Sequence, residues 1–91
     1  RTVYLLRSLR YPRRTYIGVT GDLALRLVEH NAGCSRSTSR FRPWTVVASI
    51  QFADGAAADV FELYLKSGSG QVFARRHFFN PDKIPRSTYR Y

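Results

Sequence analysis

Acidic residues are scarce in this 91-residue chain. Six Asp and Glu stand against fifteen Lys and Arg, leaving a net charge of +9 and a pI near 10.6. Lysine is scarcer still, since thirteen of the fifteen cations are Arg and only Lys66 and Lys83 are Lys. A guanidinium presents a planar donor fork that matches phosphate oxygens, so the bias points to phosphate rather than to any polyanion. The balance fits nucleic acid, an anionic membrane or an acidic partner. Cysteine is nearly absent: Cys34 alone excludes an internal disulfide framework and a thiolate metal cluster, and it suits a reducing compartment. Two histidines, His30 and His77, are too few for an all-protein transition-metal site. No apolar run approaches the roughly 20 residues that span a bilayer, and no signal peptide is visible. The expectation is a cytoplasmic, nucleoid-associated protein with no membrane role. There is no serine nucleophile elbow, and "KSGSG" (Lys66 to Gly70) lacks the glycine spacing and Lys-Ser/Thr of a P-loop.

What is present makes one folded domain. Hydrophobic residues are 44% of the chain, with six Tyr, six Phe and one Trp. A chain this short buries a modest core, so chemistry belongs in a surface cleft. Thr2–Arg7 and Thr15–Val19 read as strands of an antiparallel hairpin. Gly18 inside the second strand marks a bulge or a close approach to the backbone. Asp22 or Thr20 caps a helix from Leu23 to Asn31, which stops at Gly33. A polar loop, Gly33–Pro43, leads to a third strand, Trp44–Phe52, apolar enough to be covered on both faces. Asp54 caps a second helix ending at Gly68, and Ser69 a third from Gln71 to Phe79. The order is ββαβαα, an α/β (α+β) fold of one small three-stranded sheet with helices against it. Residues 1–80 form the domain, and 81–91 a basic, proline-containing tail.

At about 100° per residue, Leu23, Ala24, Leu27 and Val28 form the apolar arc of the first helix, with Arg26 and His30 on its flank. Spacing alone allows Arg26 to snorkel and His30 to serve the helix C-terminus. In the second helix Ala57, Val60, Phe61, Tyr64 and Leu65 form the arc, and Glu62 falls in a polar sector with Asp59 and Lys66. Glu62 can pair with Lys66 at i,i+4, or hold a hard cation as a lone carboxylate with waters and phosphate. Tyr4 and Tyr16, one in each hairpin strand, can point to one face. They are either core tyrosines or phenols converging on a phosphate.

Together, "VYLL" around Tyr4, "TYIGVTGDL" around Tyr16, "LRLVEHNAG" and "FELYLKSGSGQVFARRHF" resemble a GIY-YIG nuclease domain, over Thr2 to about Phe79. Thr2-Val3-Tyr4 stands where that family has Gly-Ile-Tyr, while Tyr16-Ile17-Gly18 is intact. The "ELYLKSGSG…RRHF" end is similar to the small stand-alone bacterial members. The resemblance implies a three-stranded antiparallel sheet flanked by helices. It also implies metal-dependent hydrolysis of DNA phosphodiesters, with Mg²⁺ or Mn²⁺, leaving 5′-phosphate and 3′-hydroxyl ends. Carried over, Tyr4 and Tyr16 are the motif tyrosines, Gly18 keeps room for backbone and phosphate, and Arg26 neutralises phosphate. His30 helps proton transfer and Glu62 binds the metal. Val19 stands where some members have Lys, and Ala74 where some have Asn; Asn80 is too far along to replace it. Arg10, Arg13, Arg14, Arg36, Arg40 and Arg42 in the two loops, with Arg75 and Arg76 beyond, are expected to hold DNA through phosphate. Tyr11 and Phe41 can stack on unpaired bases, favouring single-stranded or branched DNA, while Trp44 reads as core. The alternatives are a non-catalytic DNA- or RNA-binding module, or a nuclease subunit active only within a larger complex or homo-oligomer.

Overall fold

A computed structural model describes residues 1–79; Asn80 and the 81–91 tail, including Lys83, lie outside the described residues. Three strands, β1 (Thr2–Ser8), β2 (Thr15–Thr20) and β3 (Trp44–Gln51), form one antiparallel sheet in the order β2-β1-β3. The helices are α1 (Leu23–Ala32), α2 (Gly55–Lys66) and α3 (Gly68–His77), with a single 3₁₀ turn at Ser39–Phe41. The expected ββαβαα order and antiparallel hairpin are therefore present. None of these helices is long and apolar enough to cross a membrane.

β1 is the central strand, and its period-2 alternation divides the core in two. Val3 and Leu5 point to one face, where they meet Ala58, Leu65, Ala74 and Phe79. Tyr4 and Leu6 point to the other and pack with Trp44, Tyr16, Leu23 and Leu27. α1 thus covers one face and the α2–α3 pair the other. Trp44 is core, as expected, and its indole N–H donates to the Thr38 carbonyl at 2.9 Å. β3 does send side chains into both cores, Val46 to one and Val47, Ala48 and Ile50 to the other. It does so from the sheet edge, across a register shift opposite Leu5 and Leu6, so most of its residues are only half-buried.

Local chemistry sets the helix ends. The Asp22 carboxylate accepts from the Leu25 N–H at 3.0 Å, which leaves Thr20 to bond Asp22 itself. Gly33 ends α1 at φ 86°, a left-handed conformation that glycine adopts without a Cβ penalty. The α2–α3 junction differs from the expected Ser69 cap. Ser67 ends α2 by donating to the Tyr64 carbonyl and starts α3 by accepting from Gly70 N–H, so one residue does both jobs.

The larger correction concerns helix faces. α1 turns Leu23, Arg26, Leu27 and His30 toward the sheet, while Val28 is 64% exposed. α2 turns Ala58, Phe61, Glu62 and Leu65 inward, while Val60 and Leu63 are each 67% exposed and Tyr64 is 40% exposed. Both are i, i+3, i+4, i+7 stripes, and both carry polar residues in the stripe. The purely apolar arcs read from the sequence were rotated by roughly a quarter turn from the true ones. His30 and Glu62 are therefore inward-facing residues rather than flank or polar-sector ones.

Candidate active site

The hairpin register places Tyr4 opposite Gly18 and Leu6 opposite Tyr16. Cross-strand partners share a face, so both motif tyrosines lie under α1. There they meet His30: the Tyr4 and Tyr16 ring centroids are 6.2 Å apart, and those of Tyr4 and Tyr16 lie 5.8 and 5.0 Å from the imidazole. The Tyr4 hydroxyl and His30 Nε2 are 2.9 Å apart in a fully buried contact. Tyr16 is only half-buried, at the β2 edge.

Gly18 has a role more specific than room for a phosphate. A Cβ built there falls 2.5 Å from the Tyr4 Oη and 2.6 Å from its Cζ. The phenol of the first motif lies over the bare backbone of the second, so one strand's glycine is needed by the other strand's tyrosine. Gly18→Ala is expected to displace the Tyr4 ring and to destabilise the fold by roughly 1–3 kcal/mol, as overpacking does. A urea titration monitored by tyrosine fluorescence checks this; an unchanged midpoint would contradict it.

His30 is held from its other side as well. Its Nδ1 is 2.8 Å from the Thr38 Oγ1, and the Thr38 hydroxyl points toward the Ser35 carbonyl at a long 3.5 Å. Thr38 is fully buried and was not singled out in the sequence, because nothing in an eight-residue separation within a polar loop marks it. The polarity of this chain follows from Tyr4. Burial raises the Tyr4 phenol, with Tyr16 and Glu62 adding to the rise and Arg26 opposing it. The phenol therefore keeps its proton at neutral pH. Its hydrogen-bond partner is Nε2, so Nε2 accepts, Nδ1 carries the hydrogen, and Nδ1 donates to Thr38. Burial first, then the Arg26 charge, lowers the His30 pKa from 6.5, with Glu29 opposing, so the ring is neutral near pH 7.

Thr38→Val keeps the side-chain shape and removes the acceptor. It is expected to cost about 1–3 kcal/mol by leaving Nδ1–H buried and unpaired and to mix the His30 tautomers, while Thr38→Ser retains both. Imidazole ¹⁵N shifts read the tautomer directly; a single Nδ1–H form in Thr38→Val would exclude this role.

Arg26 sits on the inward stripe of α1 and pairs with Glu29 at 2.9 Å. That hydrogen bond first, then its contact with the Tyr4 phenol, holds the guanidinium firmly charged. Glu62 comes to the same cluster from α2, which packs on β2. Its carboxylate is 14% exposed, forms the expected i,i+4 pair with Lys66 at 2.5 Å, and is near enough to act on Tyr4. The Lys66 ammonium lies 6.0 Å from the Tyr16 ring centroid, so the pair reaches round the β2 edge to the tyrosine face. Five residues from four elements, Tyr4, Tyr16, Arg26, His30 and Glu62, are thus gathered in one place.

Among the described residues there is no cluster of three or more His, Cys, Asp or Glu that would cage a metal. The donor set fits a hard cation held by one carboxylate, with waters and substrate phosphate supplying the remaining ligands. Glu62 is largely shielded from solvent and already faces a cation, the Lys66 ammonium.

The basic residues divide. Arg10, Arg13 and Arg14 lie exposed between β1 and β2, and Arg36, Arg40 and Arg42 lie exposed between α1 and β3. The two loops meet, with Arg14 and Arg40 over the Phe41 ring at 4.5 and 6.0 Å. Arg75 lies on α3, in a groove of about 870 Å³ shared with Arg7, Arg13, Tyr16 and Lys66. Arg7 is an addition to the expected set. It donates to the Phe79 carbonyl and keeps a buried Nε without a partner among the described residues. Arg76 is exposed on α3, outside the residues that line this groove.

The family model for the GIY-YIG catalytic domain matches residues 1–76. A structure-specific endonuclease subunit SLX1 from Candida dubliniensis is 38% identical over 94% of this chain and 31% of its own length. The SLX1 homolog of Drosophila melanogaster is 32% identical over 96% of this chain and 32% of its own. The slx1 subunit of Talaromyces stipitatus is 45% identical over 53% of this chain and 14% of its own. The chain therefore spans about a third of the length of the first of these relatives. These relatives are eukaryotic subunits, not the stand-alone bacterial members expected from the "ELYLKSGSG…RRHF" end. No solved structure matches.

Proposed function

The chain belongs to the GIY-YIG catalytic-domain family, and from that premise we propose that it is a DNA endonuclease that hydrolyses phosphodiester bonds in branched or single-stranded DNA. The observation that carries this reading is the convergence of a phenol–imidazole pair, a permanently charged arginine and one shielded carboxylate. The relatives' names, as structure-specific endonuclease subunits, support a branched substrate.

In the proposed reaction water attacks phosphorus, the bond to the 3′ oxygen breaks and that oxygen takes a proton from solvent, so 3′-hydroxyl and 5′-phosphate ends result. Tyr16, at the rim, orients the water. The water's proton passes to the Tyr4 oxygen while Tyr4 gives its own to His30 Nε2, the lone pair that Thr38 keeps available. The two transfers are concerted: burial raises the phenol and lowers the imidazole, so Tyr4 gives up its own proton only as it takes the water's. Arg26 stabilises the charge that builds on the nonbridging oxygens through donors already in place. Glu62 would hold a divalent ion, Mg²⁺ or Mn²⁺, which when bound would supply Lewis-acid stabilisation of the phosphate and leaving oxygen.

Labelled single-stranded, duplex and forked DNA, incubated with Mg²⁺, Mn²⁺ or EDTA, tests the reading. Cutting that requires the metal supports it, and binding without cutting in either metal replaces it with a DNA- or RNA-binding module. The stand-alone and subunit readings separate in the same assay. Cutting by the purified domain supports the first, and cutting only after a partner is added supports the second, which the relatives' names favour.

A further inference from the structure

We infer that the β1–β2 loop, with Phe41, is a preassembled stacking platform for unpaired nucleobases at a DNA branch point. This rests on the nuclease reading for its substrate and adds the element that recognises the branch. The loop presents two exposed apolar side chains among arginines: Leu9 is 60% and Tyr11 is 45% exposed. A single exposed leucine is unremarkable, but an apolar pair at the tip of a cationic loop is where DNA-binding proteins place wedges against bases.

The loop is tied by its own hydrogen bonds. Ser8 N–H donates to the Arg14 carbonyl, Arg14 N–H to Tyr11, and Leu9 N–H to Pro43, all within 2.8–3.0 Å. The buried Ser8 hydroxyl donates to the Phe41 carbonyl at 2.5 Å and accepts from the Tyr11 N–H at 2.9 Å. Tyr11 then meets the Phe41 ring edge-on, with centroids 5.7 Å apart and planes at 85°. Arg14 lies 4.5 Å from the Phe41 centroid, and Arg10 lies 5.3 Å from that of Tyr11. A guanidinium stacked on a ring extends a flat surface that a base can lie on, while its N–H edge remains free for phosphate. Neither Arg10, Arg14 nor Arg40 pairs with a carboxylate among the described residues, so their charge is uncompensated.

The position is right for a branch sensor. Phe41 packs in the same apolar cluster as Tyr4 and Tyr16, so the platform lies on the same face of the sheet as the phenols. A base stacked there fixes the distance from the branch to the scissile phosphate. Recognition of this kind is tolerant of sequence, because every base has a π face.

The test uses the full chain in EDTA, so that binding is read without cutting. Fluorescence anisotropy compares a fork carrying two unpaired arms with a duplex of equal length. Wild type is expected to favour the fork. Tyr11→Ala is expected to reduce that preference about tenfold, the size of one base–aromatic stack, with duplex affinity and its salt slope unchanged. Tyr11→Trp restores the preference, and Arg14→Ala weakens both substrates. Photo-crosslinking of 5-iododeoxyuridine at the branch nucleotide should map to Tyr11 or Phe41. No fork preference in wild type, an unchanged preference in Tyr11→Ala, or crosslinks only elsewhere would overturn the platform. Fork preference with no cutting in Mg²⁺ or Mn²⁺ would remove the nuclease reading and leave the platform standing.

Discussion

Glu62→Gln is expected to lower metal-dependent cleavage by on the order of 10³-fold, a loss of about 4 kcal/mol of transition-state stabilisation, while forked DNA still binds. The substitution keeps the volume of the side chain and removes its charge. Glu62 is the one carboxylate on the inward stripe of α2, and Glu29 is already engaged by Arg26, so no neighbour stands ready to replace it. The consequences for Lys66 and Tyr4 separate this prediction from simple unfolding. Lys66 loses its ion pair, but it is about half exposed and the pair is worth only a few tenths of a kcal/mol. The Tyr4 phenol loses one of the charges that raise it. The fold should therefore melt close to wild type while turnover is lost. Isothermal titration with Mn²⁺ provides a readout apart from cleavage, since the variant should lose the heat of metal binding. Turnover within tenfold of wild type would remove Glu62 from the site.

Arg26→Ala should lower kcat by roughly 10²–10³-fold, as for loss of one preorganised donor to a developing oxyanion, and it should also move the pH profile. The relay requires neutral His30 to accept a proton. In wild type the His30 pKa lies below 6.5, so the acid limb of the rate profile lies below 6.5 too. Burial is the larger cause, and the Arg26 charge is the second; removing that charge lets the imidazole protonate more readily. The acid limb of the residual activity is thus expected to shift upward. The same group links stability to pH. Because the folded pKa is depressed, the folded state binds fewer protons than the unfolded chain. Stability is full above about pH 6.5 and declines as pH falls from there through the lowered folded value. Denaturant midpoints across pH 5–8 should show that decline, reduced in Arg26→Ala. An acid limb that stays in place would mean that His30 does not take the proton.

The strands, the helix starts at Asp22 and Asp54, and the stop at Gly33 were legible because each depends on residues next to one another in the chain. The family motifs were legible for the same reason, as short strings in a fixed order. Helix faces were harder to read. In α1 the exposed Val28 and the buried His30 are two positions apart, and hydropathy puts Val28 in the arc and His30 only on its flank. A polar residue on a buried stripe is tolerated only where the rest of the fold supplies a partner, and the partners of His30 are Tyr4, 26 residues before it, and Thr38, eight after it. No local pattern contains that information. Gly18 shows the same limit, since its reason lies in the ring of a residue on the neighbouring strand.

By itself, the sequence determined the element order, the antiparallel hairpin, the basic surface and the set of side chains available for phosphate chemistry. These follow from local propensity, alternation and composition, which are properties of neighbouring residues. Tertiary structure decided the rest: that His30 and Glu62 face inward, that Thr38 orients the imidazole, and that two separate loops join through Phe41. Each of these is a contact between distant segments, settled only when β1 takes the central place and both helix layers close on it.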